Sequence, residues 1–175
     1  MMLFFCVSTT ASSQTKLKAG TLRHQNVEYR IGQVEDTGNF IFSVRNRPNI
    51  PTNPEMVNNN RMPWHGVVSR LKNPQELVSV VSSAISKDRL TDVKNGAQKL
   101  DITMFCGRDG NIIYLYFTVP ENTMLTEQEL TKMYVAIESS FVPVITSRYN
   151  LHRELNNIYL NYIVDFSDHS ATERR

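Results

Sequence analysis

The sequence predicts an α+β fold, a two-layer sandwich in which an antiparallel sheet carries two helices packed on one face. Three observations predict it. Several runs alternate apolar and polar residues with period two, as strands buried on one side do. Two runs repeat their apolar residues at helical spacing, one of them behind a complete N-terminal signal. The elements follow in the order hairpin, loop, helix, hairpin, helix, strand, which suits an antiparallel sheet with helices segregated to one face.

Length and composition are compatible with one folded unit that can bury a core, since 175 residues are 41% hydrophobic and 21% charged. The 19 basic and 17 acidic residues leave a net charge of +2. That is too small a surplus to neutralise a run of phosphates, so no nucleic-acid partner is expected.

The chain opens with "MMLFFCVSTTASSQ", a short apolar run followed by small residues. It reads as residues 1–13 of a truncated signal peptide without its basic beginning, cut before Gln14. Bulky Phe5 before Cys6 argues against a lipobox. Cleavage leaves Cys106 as the one thiol, so no internal disulfide is expected. No other apolar run reaches the length of about 18 residues that spans a bilayer. A mature chain without a membrane span, periplasmic or extracellular, is the expectation.

Residues 14–64 are read as an N-terminal hairpin and a loop. Val27, Tyr29 and Ile31 alternate with Glu28 and Arg30, and Phe40, Phe42 and Val44 follow beyond the turn residues Asp36 to Gly38. From Asn46 to Trp64 the prolines Pro48, Pro51, Pro54 and Pro63 stand among asparagines, which removes backbone donors and predicts a long irregular segment. Segments of that kind are functional or mobile.

Residues 65–168 hold the remaining elements. Asn73 as cap, Pro74 at the first helical position and Glu76 in the first turn begin a helix whose face is Leu77, Val80, Val81 and Ala84. The polar residues 87–99 are expected to be a connection. In "DITMFCGRDGNIIYLYFTVP", Ile102, Met104 and Cys106 alternate on one side of a turn, and Ile113, Leu115, Phe117 and Val119 on the other. Gly107 and Gly110 flank Arg108 and Asp109 there. A glycine-rich turn beside an aspartate could cradle phosphate, but no helix begins after it to point amides at an anion. The stretch is therefore the bend of a hairpin, with glycine supplying positive φ.

In "LTEQEL", Thr126 and Glu129 form a capping box, and Leu125 and Leu130 occupy the staple positions. Leu130, Met133, Tyr134 and Ile137 make the buried stripe, and Pro143 ends the element. Ile158, Leu160, Tyr162, Val164 and Phe166 form a last strand, and the polar tail 169–175 is expected to fray.

From Met62 to Phe166 these features resemble the C-terminal domain of TonB-type energy-transducing proteins, especially stand-alone versions in Bacteroidetes. The points of likeness are the hairpin with its Asp-Gly turn, the helix "LTEQELTKMYVAIESS", the closing "FVP" and the strand "IYLNYIVDF". The membrane anchor and the Pro-Glu/Pro-Lys spacer of that family are missing from the pattern. The resemblance therefore implies a secreted protein of the stand-alone kind rather than an energy transducer.

No catalytic constellation emerges. His24, His65, His152 and His169 share no metal-ligand spacing, and no G-x-S-x-G elbow is present. Cys106, alternating with Met104 and Ile102, reads as a small buried hydrophobe. No cofactor, metal or catalytic residue is expected. The residues that could form a partner or ligand surface are Trp64, His65, Tyr114, Tyr116 and Tyr159. The leading expectation is a non-enzymatic binding module of the cell envelope, taking a protein or peptide on a strand edge or on the Pro/Asn segment. The alternative is a small ligand-binding or hydrolytic protein with a cleft near Trp64, His65 and the strand tyrosines. The sequence sets neither the partner nor the oligomeric state.

Overall fold

The computed structural model describes residues 17–35, 37–46 and 68–174. The signal-like segment, Cys6, Asp36, most of the Pro/Asn-rich stretch, Trp64 and His65 lie outside them.

Nine strands and three α-helices follow in order among the described residues. They are β1 (Gly20–His24), β2 (Val27–Val34), β3 (Asn39–Val44), β4 (Ser69–Leu71), α1 (Pro74–Ser83), α2 (Lys87–Asn95), β5 (Lys99–Cys106), β6 (Ile112–Pro120), α3 (Glu127–Ser140), β7 (Ile145–Ser147), β8 (Ile158–Asp165) and β9 (Ser170–Glu173). A 3-10 segment, Arg148–Glu154, joins β7 to β8. Seven strands form one sheet in the order β1-β2-β3-β6-β5-β8-β9, every neighbouring pair antiparallel. β4 and β7 form a second, small sheet. The fold is α+β, as the alternation of the strands required.

Period two puts one residue in two on the helix side. Tyr29 and Ile31 of β2, Phe40 and Phe42 of β3, Leu115, Phe117 and Val119 of β6, Ile102 and Met104 of β5, and Leu160 and Tyr162 of β8 are all buried in one core. Tyr134 of α3 lies edge-on to Tyr29, ring centroids 5.3 Å apart, and to Phe117 at 6.0 Å. The stripe Leu130, Met133, Tyr134 and Ile137 is buried in full. α1 packs beside α3 and along β9. It buries Leu77, Val78, Val81 and Ser82, while Val80 and Ala84 are only partly covered. The apolar face of α1 is therefore rotated by about one residue from the predicted one.

The capping box is present in full. Thr126 Oγ1 accepts the Glu129 N–H at 3.2 Å, and Glu129 Oε2 accepts the Thr126 N–H at 2.8 Å. Asn73, in contrast, makes no side-chain cap; its φ of −132° and ψ of 77° hold it outside the usual capping geometry. Gly110 takes a φ of +86°, and its N–H bonds to the Gly107 carbonyl at 2.9 Å, closing the β5–β6 turn. A bulge at Phe105/Cys106 shifts the register there, so that Cys106 faces Ile112. Ile112 thereby takes the core side and leaves Ile113 40% exposed, the reverse of the alternation predicted at the start of β6.

Three further expectations are corrected. Residues 87–99 are more than a connection: α2 forms there with Val93 as its one buried residue. Arg89 anchors α2, with Nε 3.2 Å from Glu129 Oε1 and a guanidinium N–H on the Met124 carbonyl at 2.7 Å. The tail does not fray, because Ser170–Glu173 pairs with β8 as β9, the Arg174 N–H bonds the Asn161 carbonyl at 3.0 Å, and Arg174 forms an ion pair with Asp101. The first hairpin gains a further strand, β1, joined to β2 by the two residues Gln25 and Asn26. In addition, β3 pairs with β6, so the N-terminal hairpin and the elements after residue 68 share one sheet.

Candidate functional site

The helix-free face of the sheet carries the alternate residues. Register aligns Arg30, Ser43, Tyr116, Thr103 and Asn161 in one row across five strands, and Tyr114, Phe105 and Tyr159 in the next. The three strand tyrosines singled out by sequence are thus brought together. Phe105 links them, with its ring centroid 5.5 Å from that of Tyr159 and 6.3 Å from that of Tyr114, and Tyr114 is 5.9 Å from Tyr116. Phe105 and Tyr114 are buried, whereas Tyr159 is 47% exposed. Asn161 donates to Thr103 Oγ1 at 3.0 Å and to the Tyr159 hydroxyl at 3.3 Å. The patch is a packed aromatic row with one open end at Tyr159. Trp64 and His65, the other members of the predicted surface, lie outside the described residues.

Among the described residues His24, His152 and His169 join no cluster that could hold a metal ion. His152 is buried, with Nδ1 2.8 Å from Ser147 Oγ, which also accepts the His152 backbone N–H at 2.9 Å. Burial and the neighbouring Arg153 push the imidazole below its ordinary pKa, so it is neutral at pH 7. No carboxylate bonds to it among the described residues, and the Ser147 contact closes the tight segment in which Tyr149 and Asn150 both take positive φ. An open groove of about 530 Å³ lies beside it, lined by Arg108, Asp109, Val142, Val144, His152 and Arg153. Cys106 is fully buried and burial pushes its thiol up to about 12, which removes it as a nucleophile. Among the described residues no group of three His, Cys, Asp or Glu could hold a metal ion. No helix there is long and apolar enough to cross a membrane.

The two sheet edges differ. β9 is flanked by α1, and Gln75 of α1 donates to the His169 carbonyl at 2.6 Å. β1 has no neighbour on its outer side among the described residues, and Gly20, Thr21, Arg23 and His24 are exposed, with Leu22 half-buried against the core. Because only two residues link β1 to β2, His24 and Val27 form the closing hydrogen-bonded pair. Antiparallel alternation then turns the N–H and C=O of Leu22 and Gly20 inward to β2, and those of Thr21 and Arg23 outward. Beside this edge runs an open groove of about 400 Å³, lined by Leu22, Arg23 and His24 on one side and Glu127, Gln128, Thr131 and Lys132 of α3 on the other. An edge strand next to a helix is an architecture that accepts an added strand. Sequence reasoning named a strand edge but missed β1, which carries a single apolar residue, Leu22.

No family model matches the chain, and no curated protein sequence does. A solved structure does. The fold is similar to that of a DUF5043 family protein from Bacteroides uniformis, with a TM-score of 0.64 and 13% identity over 85% of each chain. At that identity the likeness is one of fold. It covers more of the chain than the second half alone, and it shows no TonB-type domain.

Proposed function

We propose that this protein is a non-enzymatic binding module that takes an extended segment of a partner protein onto the β1 edge of its sheet. The observation that carries this reading is the outward, exposed backbone of Thr21 and Arg23, which can pair with an incoming strand. Main-chain pairing supplies the affinity in such binding, and the groove beside α3 supplies side-chain selection. A hydrolytic cleft draws less support, since among the described residues the side-chain partner of His152 is Ser147 and the thiol of Cys106 is buried.

The reading includes export to the periplasm or the cell exterior, on the strength of the apolar and small residues from Met1 to Ser13. N-terminal sequencing of protein from its native host should find a chain beginning near Gln14; a retained Met1 would end that part. A TonB-like relationship is proposed only for the run β5, β6, α3 and β8, whose order matches the motifs that suggested it.

Pull-down from the native envelope with the mature chain tests the binding role, with Thr21→Pro as control. Proline at 21 removes an outward N–H without touching the β1–β2 ladder. We expect an envelope protein held by the wild type and released by the variant. The same proteins held by both would refute edge addition.

A further inference from the structure

We infer that the strand accepted at the β1 edge is an acidic one: an extended peptide bearing carboxylates, seated between β1 and the first half of α3. This rests on the strand-edge reading and adds to it the chemistry of the partner.

The argument is one of charge around the edge. On the helix side Lys132 lines the groove, and on the helix-free side alternation places the side chain of Arg23, with Arg30 on the adjacent strand opposite Thr21. All three are exposed, and none forms an ion pair among the described residues, although Arg45, Arg89, Lys99 and Arg174 all do. Glu28, which stands opposite Arg23 in register, is taken up by Arg45 at 2.5 Å and so does not neutralise it. One carboxylate, Glu127, lines the groove against these cations.

An added strand points successive side chains to opposite faces. One set would meet Lys132, Gln128 and Thr131 above Leu22, and the other would meet Arg23. Both faces of the incoming strand therefore pass a cation. A peptide with acidic residues on both faces has complementary charge in either register, whereas a basic one meets repulsion on both.

The test uses the full mature chain and two N-acetylated, C-amidated peptides of alternating Thr and Val that differ in carrying either four Glu or four Lys. Amide shifts at Thr21 and Arg23 in nuclear magnetic resonance spectra report seating, and fluorescence anisotropy reports affinity. We expect the Glu peptide to bind and shift those amides, more weakly as salt rises. Lys132→Glu and Arg23→Glu should each weaken it by about two- to fivefold, and Glu127→Gln should tighten it by a similar factor. Thr21→Pro should abolish seating while an unchanged circular dichroism spectrum shows the fold intact. Equal binding of the Lys peptide would overturn the acidic specificity and leave edge addition standing. If neither peptide moved the Thr21 and Arg23 amides, edge addition itself would fall.

Discussion

The Tyr162 hydroxyl accepts the backbone N–H of Leu71 at 2.7 Å, and both residues are buried. This bond ties the small β4–β7 sheet to the centre of β8. Tyr162→Phe leaves the Leu71 amide without its partner in a site closed to water. The expected loss is about 1–3 kcal/mol, because an unsatisfied buried donor costs its full desolvation. A urea melt checks it; an unchanged midpoint would mean that the bond contributes nothing.

The capped helix offers a ranking. Thr126→Ala removes the acceptor of the Glu129 N–H and should cost about 0.5–2 kcal/mol. Ile137→Ala opens a cavity at a position with 0% exposure and should cost about 2–5 kcal/mol. Urea denaturation of the two variants decides the order. A costlier Thr126→Ala would show that α3 is held by its cap more than by the sheet.

Gly110→Val meets two obstacles. At φ +86° a β-branched residue is strained, and a Cβ there would stand 3.0 Å from the Pro143 carbonyl oxygen, a backbone atom that cannot turn aside. The variant should lose about 1 kcal/mol or more. Thermal and urea midpoints equal to wild type would show that the turn relaxes freely.

Asp165 gives the acid limb of stability. Ser167 donates its hydroxyl at 2.5 Å and its N–H at 2.9 Å to Oδ1, and Lys99 lies 2.9 Å from Oδ2. These partners, the Ser167 hydroxyl first, lower the carboxyl to about 2. A depressed folded pKa stabilises above the unfolded value and is lost as pH falls through the folded one. Asp165→Asn should therefore be less stable than wild type at pH 7, and the gap should narrow steadily between about pH 4 and pH 2. Urea midpoints across that range test it; a gap undiminished at pH 2 would exclude the ionised carboxylate as its source.

Much of this architecture was legible in the chain because burial on one side writes itself as periodicity. Tyr29 with Ile31, Phe40 with Phe42, Ile102 with Met104 and Leu160 with Tyr162 mark strands whatever their neighbours. Thr126 with Glu129 marks a helix start from four consecutive residues. What the chain left unwritten are the elements that bury little. β1, α2 and β9 are held by Leu22, by Val93 with the Arg89 bridges, and by backbone pairing with the Arg174–Asp101 ion pair. No repeat of apolar residues announces them, because pairing with β2 or β8 and the Arg89–Glu129 bridge, rather than a broad buried face, hold them. Pairing between distant segments governs the candidate site. Local sequence determined that Tyr114, Tyr116 and Tyr159 sit on strands, but only strand order set them in two adjacent rows of one face. Only strand order, too, left the outward backbone of Thr21 and Arg23 at an edge beside Lys132, because pairing between distant segments costs chain entropy that no local signal records and is repaid only by the assembled sheet.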